Sequence, residues 1–263
     1  MLVATETGKE VQAVDKALLK KRFGSAITTY DAHADVQRQM AIKLVKMAKP
    51  VLSHQQPDVL ELGCGTGLLT EQIVKEFALN NYVGNDLVDE VSHLNRSILG
   101  NRIRHYDFIA GDAEMLEFPK MQDSIWSGAT IQWITQLPRF FGKLSSVVKT
   151  GGYLVLSSFG PDNYHEIKSI TGNGIDYQVK EQICTAAAGH FELVAFQEWQ
   201  ERMWFDKPAD VLRHMRYTGV NSVTHCQWSK GAMQAFNLAY EAFAQTNAYP
   251  LTYHPYLMIF KKK

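Results

Sequence analysis

The sequence lacks the features of a secreted, membrane-spanning or disulfide-stabilised protein. Residues 1–16 are mixed and polar, without the apolar core of a secretory signal. No apolar run approaches the ~18 residues that a membrane span needs. The three cysteines are far apart and lack metal-ligand spacing, so reduced thiols are expected. We therefore expect a cytoplasmic protein with no membrane partner and no metal site.

An excess of charge of either sign is also missing. Lys and Arg together number 27, Asp and Glu together number 27, and the formal net charge is zero. Because nucleic-acid-binding domains usually carry a basic surface, nucleic acid is not an expected partner. Apolar residues make up 46% of the 263 residues and charged ones 21%. This composition is typical of a globular enzyme with a full hydrophobic core.

The most informative segment is an apolar run that ends in three alternating glycines. Residues 59–62 read as a buried strand, Gly63, Gly65 and Gly67 follow, and apolar residues then recur at helical spacing. A strand, a glycine turn and a helix in this order let the backbone approach a bound molecule. No Gly-Lys-Ser/Thr follows, so this is not the phosphate-binding loop, and the spacing also differs from the Gly-x-Gly-x-x-Gly of dinucleotide folds.

Acidic residues follow the next two apolar runs at corresponding positions. Asp86 ends the run at 82–85, and Asp112 follows the run at 108–110. Strands and helices alternate over residues 58–159, which favours an α/β fold with a doubly wound, mainly parallel sheet. The alternative interpretation is that the glycines serve only a tight turn and that each Asp serves only a strand end.

Apolar spacing also predicts elements outside this alternating region. Five helices are expected, and the one at 32–47 carries an apolar stripe. A strand-like run is expected at 191–205, and a last strand at 253–260. The predicted helices cover residues 16–23, 32–47, 179–188, 209–217 and about 231–245.

Together these motifs resemble the class I S-adenosylmethionine-dependent methyltransferases. The resemblance continues through residues 130–133 after a fourth apolar run and 149–152 before a fifth. It implies a Rossmann-like, seven-stranded sheet that binds S-adenosylmethionine, with a helical lead-in and lid and a small α-helical cap insertion. The expected division is the lid at 1–54, the binding core at 55–160, and the cap with the closing strands at 161–263.

Outside the core, the sequence resembles the malonyl-acyl-carrier-protein O-methyltransferases of biotin synthesis. Residues 23–37 read Phe-Gly-Ser-Ala-x-x-x-Tyr-Asp-x-x-Ala-x-x-Gln, the amino-terminal signature of that family, and residues 132–133 and 157–162 are similar too. The resemblance implies that a methyl ester is formed on the free carboxylate of a malonyl thioester. The thiol that carries the malonyl group would belong to acyl-carrier protein or to coenzyme A. Two alternatives stay open: another small-molecule methyltransferase, of trans-aconitate or quinone-precursor type, and a non-catalytic cofactor-binding protein.

The resemblance also implies roles for the motif residues. Asp86 would accept from both ribose hydroxyls, while Asp112 and the Ala113 amide would meet the adenine ring. Tyr30 and Trp133 are the catalytic candidates, the first touching the cofactor or its methyl group and the second walling the pocket. For both aromatics, core packing is the alternative. The candidate cofactor residues are Tyr30, Gln37, Glu61, Gly63, Cys64, Gly65, Gly67, Asp86, Leu87, Asp112, Ala113 and Thr130.

Methyl transfer to a carboxylate needs no general base, because the acceptor is already ionised at pH 7. The enzyme then has to align the reactants, exclude water and hold the carboxylate. We expect a cation of the cap to hold it, preferably an arginine, whose planar fork matches a carboxylate. We also expect residues 32–47 to close over the cofactor. The candidate cations are Arg202, Arg213, His214 and Arg216.

Overall fold

The computed structural model describes residues 14–219 and 229–263. Its strands are β1 Asp58–Leu62, β2 Asn81–Asp86, β3 His105–Ala110, β4 Gln122–Gly128, β5 Val148–Phe159, β6 Phe191–Glu198, β7 Glu201–Phe205, β8 Tyr249–Tyr253 and β9 Pro255–Lys262. Its helices are α1 Lys16–His33, α2 Asp35–Ala48, α3 Leu68–Glu76, α4 Ser92–Leu99, α5 Leu137–Val147, α6 His165–Thr171, α7 Lys180–Ala187, α8 Pro208–Tyr217 and α9 Lys230–Tyr240.

Seven of these strands form one sheet in the order β3-β2-β1-β4-β5-β9-β6. β1 to β5 are mutually parallel, and β9 lies antiparallel between β5 and β6. β7 and β8 pair in a separate two-stranded antiparallel sheet. The predicted seven-stranded, mainly parallel and doubly wound sheet is confirmed.

Both faces of the sheet are buried because helices cover each of them. Successive side chains of a strand point to opposite faces. Val59 accordingly packs in one core cluster with Leu44 of α2, whereas Leu60 packs in a second cluster with Phe141 of α5. This two-faced burial explains why the parallel strands read as continuous apolar runs in the sequence.

The two amino-terminal helices differ in their burial. α1 begins at an N-cap, where the Asp15 carboxylate accepts from the Leu18 amide at 2.9 Å, and it buries only Leu19 and Ala26. α2 instead contributes its apolar stripe to the main core. Residues 32–47 thus pack in the core and also reach the cavity through Gln37 and Ala41, and their closure over the cofactor stays a prediction.

The carboxyl-terminal part contains turns that apolar spacing did not predict. The run at 191–205 is divided into β6 and β7, which belong to different sheets, and the predicted last strand is divided at His254. The backbone of His254 bonds to the β5–α6 turn, donating to Asn163 Oδ1 at 3.1 Å and accepting from the Gly160 amide at 2.7 Å. Among the residues described, no helix combines the length and apolarity needed to cross a membrane.

Candidate functional site

The loop after β1 has a left-handed backbone at each of its glycines. Gly63 has φ +65°, and a Cβ added there would lie 2.1 Å from the Oγ1 atom of Thr130. Gly67 has φ +94°, and its Cβ would lie 2.3 Å from a methyl carbon of Ile98. A Cβ on Gly65, with φ +51°, would meet open space. Two glycines are thus required for packing, while the third leaves the backbone uncovered.

Asp86 fixes the shape of this loop from the end of β2. Its carboxylate accepts from the Gly65 amide at 2.9 Å and from the Val88 amide at 2.9 Å. Burial raises the pKa of Asp86, and the hydrogen bonds from these amides oppose that rise. The Cys64 amide donates to the Asn85 carbonyl at 2.9 Å. β2 therefore holds the glycine loop through both side-chain and backbone contacts.

Glu61, on β1 just before the glycine loop, has a buried carboxylate that accepts hydrogen bonds from neighbouring side chains. The side chain is 1% exposed, and its Oε2 accepts from the Thr70 hydroxyl at 2.9 Å and from the Tyr82 hydroxyl. Burial raises the pKa of Glu61 to about 7, against the effect of these two hydrogen bonds. Glu61 therefore joins β1, β2 and the first turn of α3.

Asp112, just beyond β3, makes an ion pair that the sequence did not indicate. Its Oδ1 accepts from Lys16 Nζ at 3.2 Å and from the Glu114 amide at 3.0 Å. Lys16 also bonds to the Glu114 carboxylate at 3.1 Å. Lys16 begins α1, 96 residues before Asp112, and no local sequence signal links two residues so far apart.

A cavity opens at the carboxyl ends of the parallel strands, and α1 covers it. Leu19, Phe23 and Ile27 give α1 an apolar surface toward the cavity. Lys16 fastens the first turn of this helix, and near its other end the Asp31 carboxylate accepts from the Thr66 hydroxyl at 2.6 Å. The covering helix is thus α1, tied at both ends to loops of the sheet.

The structure brings the predicted cofactor residues to this cavity, with one exception. All of them line it except Gly67, which packs beneath it against Ile98. Thr130 lines it while its hydroxyl donates to the Gly128 carbonyl at 3.0 Å. Leu87 and Ala113 line it from the loops that follow β2 and β3.

Two of these cofactor candidates, Tyr30 and Gln37, line the cavity from the amino-terminal helices, and Trp133 lines it as well. Tyr30 comes from α1, and partial burial, together with the nearby carboxylates of Asp31 and Asp86, raises its pKa. Gln37 comes from α2 and is 7% exposed, with its Oε1 buried and without a hydrogen-bond partner. Trp133 is 7% exposed and lies edge-on to Phe23, with ring centroids 6.1 Å apart.

Comparisons with known proteins agree with this geometry. A family model described as a methyltransferase domain matches residues 60–156. The chain is 35% identical to the malonyl-acyl-carrier-protein O-methyltransferase of Calditerrivibrio nitroreducens, over 92% of this chain and 96% of that protein. It is 34% identical to the enzyme of the same name from Haemophilus influenzae, over 94% and 95% of the two chains. The chain belongs to the malonyl-acyl-carrier-protein O-methyltransferase family.

Solved structures share the fold of this O-methyltransferase at much lower sequence identity. The YcgJ protein of Bacillus subtilis superimposes with a TM-score of 0.58 at 16% identity, covering 86% of this chain and 98% of that one. The N-methyltransferase NodS of Bradyrhizobium japonicum, solved with S-adenosylhomocysteine, gives 0.51 at 14% identity, covering 86% of each chain. Family and fold together make this chain an S-adenosylmethionine-dependent methyltransferase.

The cations predicted to hold the acceptor are not part of the cavity of this methyltransferase. Arg202 and Arg216 are exposed, and the exposed Arg213 pairs with Asp210 at 2.9 Å. His214 is buried, with its Nε2 bonded to the Tyr253 hydroxyl at 2.7 Å, and desolvation lowers its pKa to about 4. Arg202 lies on β7 and the other three residues lie on α8. The three arginines point to solvent, and His214 points into the core.

Proposed function

We propose that this chain transfers a methyl group from S-adenosylmethionine to the free carboxylate of a malonyl thioester on an acyl-carrier protein. The names of its relatives support the substrate. The observation that carries the proposal is one covered cavity that a glycine loop and acidic residues line together with the buried Gln37, whose amide oxygen is unpaired. The thiols of Cys64 and Cys184 are free, which favours a reducing compartment such as the cytoplasm.

The residues present fit the cofactor. The uncovered backbone at Gly65 leaves room for close approach, and the start of α3 favours a negatively charged group such as a carboxylate. Asp86 retains acceptor capacity for the ribose hydroxyls beyond the two amides it already binds. Asp112 and the Ala113 amide would hydrogen-bond to the adenine ring, as the family resemblance implies. The bound cofactor supplies an electrophilic methyl group on a sulfonium.

The chain's own residues then have to orient the acceptor and exclude water, because no proton has to be removed from an ionised carboxylate. The apolar side chains of α1 serve the second purpose, since Leu19, Phe23 and Ile27 cover the cavity. Trp133, packed against Phe23, closes the same wall. These contacts support a reaction that depends on alignment rather than on acid–base catalysis.

The test is methyl transfer from labelled cofactor to four acceptors in parallel: malonyl-carrier protein, malonyl-coenzyme A, succinyl-coenzyme A and trans-aconitate. We expect mass spectrometry to show one added methyl group on malonyl-carrier protein, with lower efficiency on malonyl-coenzyme A because remote contacts are missing. Succinyl-coenzyme A should react poorly, since its extra methylene displaces the nucleophile. Preference for trans-aconitate, or no transfer to either malonyl thioester, would refute the proposed substrate.

A further inference from the structure

The strand order gives the cavity two distinct edges. Asp112, Asp86 and the glycine loop follow β3, β2 and β1, which are adjacent in the sheet. The opposite edge lies at the ends of β4 and β5, where Thr130 and Ser157 line the cavity. Gln37 lines the cavity from α2, which packs against β4, β5 and β9 as well as against α3, and we group it with this second edge. We name the two edges the glycine edge and the α2 edge.

One side chain at the α2 edge carries a polar atom without a protein partner. The Gln37 Oε1 is buried without a hydrogen bond, in a side chain that is 7% exposed. A buried, unpaired amide oxygen costs roughly 1–3 kcal/mol, and in a cavity lining it indicates a side chain that binds a ligand. Tyr30 lines the same cavity from α1, and the carboxylates of Asp31 and Asp86 lie near its hydroxyl.

Positive charge is scarce in the same cavity. Among the lining residues that the structure describes, Lys16 is the one Lys or Arg. Its ammonium group is bonded to Asp112 at 3.2 Å and to Glu114 at 3.1 Å, beyond β3 and so at the glycine edge. It therefore cannot also serve an acceptor at the α2 edge without breaking the contacts that fasten α1.

Building on the proposed function, we infer that Gln37 holds the acceptor carboxylate through neutral hydrogen-bond donation, with Tyr30 as a second donor. The amide carries two N–H donors, and turning its terminal group exchanges the positions of the oxygen and the nitrogen. The Tyr30 hydroxyl supplies one more donor, and burial keeps it protonated because its pKa is raised. A carboxylate can accept from all of these donors at once.

The charge balance of the reaction favours neutral donors. A carboxylate oxygen provides the electron pair of the new O–CH₃ bond, and the pair of the broken C–S bond stays on sulfur. One negative and one positive charge are lost, and no proton moves. An arginine would bind the charged reactant more strongly than the neutralising transition state, and would remain unpaired beside the ester. Neutral donors orient the same oxygens without that penalty.

The test compares Gln37→Leu and Gln37→Glu with the wild-type enzyme, measuring kcat/KM for malonyl-carrier protein and the Kd of S-adenosylhomocysteine. We expect Gln37→Leu to lower kcat/KM by at least about tenfold, and Gln37→Glu by about a hundredfold through repulsion, with Kd changed less than about threefold. Lowering the pH toward about 5 should restore part of the Gln37→Glu activity, because the protonated side chain regains a donor.

The matched control is Gln122→Leu. Gln122 is also buried, at 4% exposed, with an unpartnered Oε1, but it lies outside the cavity. Its loss should lower thermal stability without lowering kcat/KM. The inference is overturned if Gln37→Leu behaves like this control, or if it weakens S-adenosylhomocysteine binding as much as it lowers kcat/KM. If the wild-type enzyme itself transfers no methyl to the malonyl thioester, the proposed function fails first and this assignment fails with it.

Discussion

The glycine edge and the α2 edge of the cavity are built from different parts of the chain. The glycine edge consists of strand ends and their loops, with the Asp86 carboxylate bonded to the amides of Gly65 and Val88. The α2 edge receives Gln37 from a helix that precedes the whole sheet, and the amide oxygen of this side chain is unbonded. The glycine edge is preorganised by its own hydrogen bonds, whereas the α2 edge contains an amide oxygen that still needs a partner.

This difference suggests a division of labour between the two edges. A loop whose amides and carboxylates are fixed in advance can bind one cofactor with little reorganisation. Unsatisfied polar groups instead favour a ligand that supplies the missing partners and disfavour one that does not. We therefore expect substitutions at the glycine edge to affect folding and cofactor affinity, and substitutions at the α2 edge to affect the choice of acceptor.

The largest expected effect is from Gly63→Ala. The new Cβ would combine a positive φ with an approach of 2.1 Å to Thr130 Oγ1, so the loop or the end of β4 must move. We expect a loss of about 3–4 kcal/mol in the free energy of unfolding, measured by urea denaturation. Gly172→Ala is the control, since Gly172 has φ +68° but open space around its Cβ. It should cost only about 1–2 kcal/mol, and equal losses in the two variants would show that the contact with Thr130 is unimportant.

A second effect concerns the buried His214 of α8. Its pKa is lowered to about 4 by desolvation, so the unfolded chain, with a pKa near 6.5, binds the proton more readily. His214 therefore adds full stability above about pH 6.5, and this contribution falls as the pH drops toward 4, by at most ~3 kcal/mol. Unfolding curves of wild type and His214→Gln should converge as the pH falls over this range. A constant difference between them would contradict the neutral, buried assignment.

Breaking the contact of α1 with the glycine edge should have a smaller effect. Lys16→Met removes the ion pairs to Asp112 and Glu114, whose side chains are 23% and 12% exposed. Pairs this accessible contribute about 1 kcal/mol or less, so we expect faster hydrogen exchange confined to α1. In the wild type, S-adenosylhomocysteine should slow exchange in α1 and leave α2 unchanged. Protection that increases mainly in α2 would instead identify residues 32–47 as the segment that closes over the cofactor.

The smallest effect is expected at the exposed arginines of the carboxyl-terminal region. Arg202→Met and Arg216→Met should each change kcat/KM for malonyl-carrier protein by less than about twofold, because neither side chain lines the cavity. Steady-state kinetics with the same acceptor would check this. A tenfold loss in either variant would place a cation at the acceptor after all.

The sequence predicted the strand-end residues of the cavity better than the contacts that the two amino-terminal helices make, for a physical reason. Gly63, Gly65 and Asp86 stand at strand ends, and apolar periodicity locates strand ends well. The bond between Lys16 and Asp112 joins residues 96 apart, and the missing partner of Gln37 is a property of packing alone. Neither feature has a local pattern, so both required the three-dimensional structure.

The division of the carboxyl-terminal strands escaped prediction for a similar reason. Residues 191–205 have continuous β propensity, but β6 pairs with β9 whereas β7 pairs with β8. Which partner a strand chooses depends on the rest of the sheet and not on its own residues. Arg202, one of the predicted acceptor cations, lies on β7 opposite Thr252 of β8 and is exposed, a position that its own sequence neighbourhood does not indicate.

A double-mutant cycle across the two edges tests the account most directly. Asp86→Asn, Gln37→Leu, the double variant and the wild type would each be assayed for the Kd of S-adenosylhomocysteine and for the KM of malonyl-carrier protein at saturating cofactor. We predict that residue 86 sets Kd, with a loss of at least about tenfold, that residue 37 sets KM, and that the coupling free energy stays below about 0.5 kcal/mol. If either substitution moves both constants equally, the cavity does not divide its work between two edges and the account is contradicted.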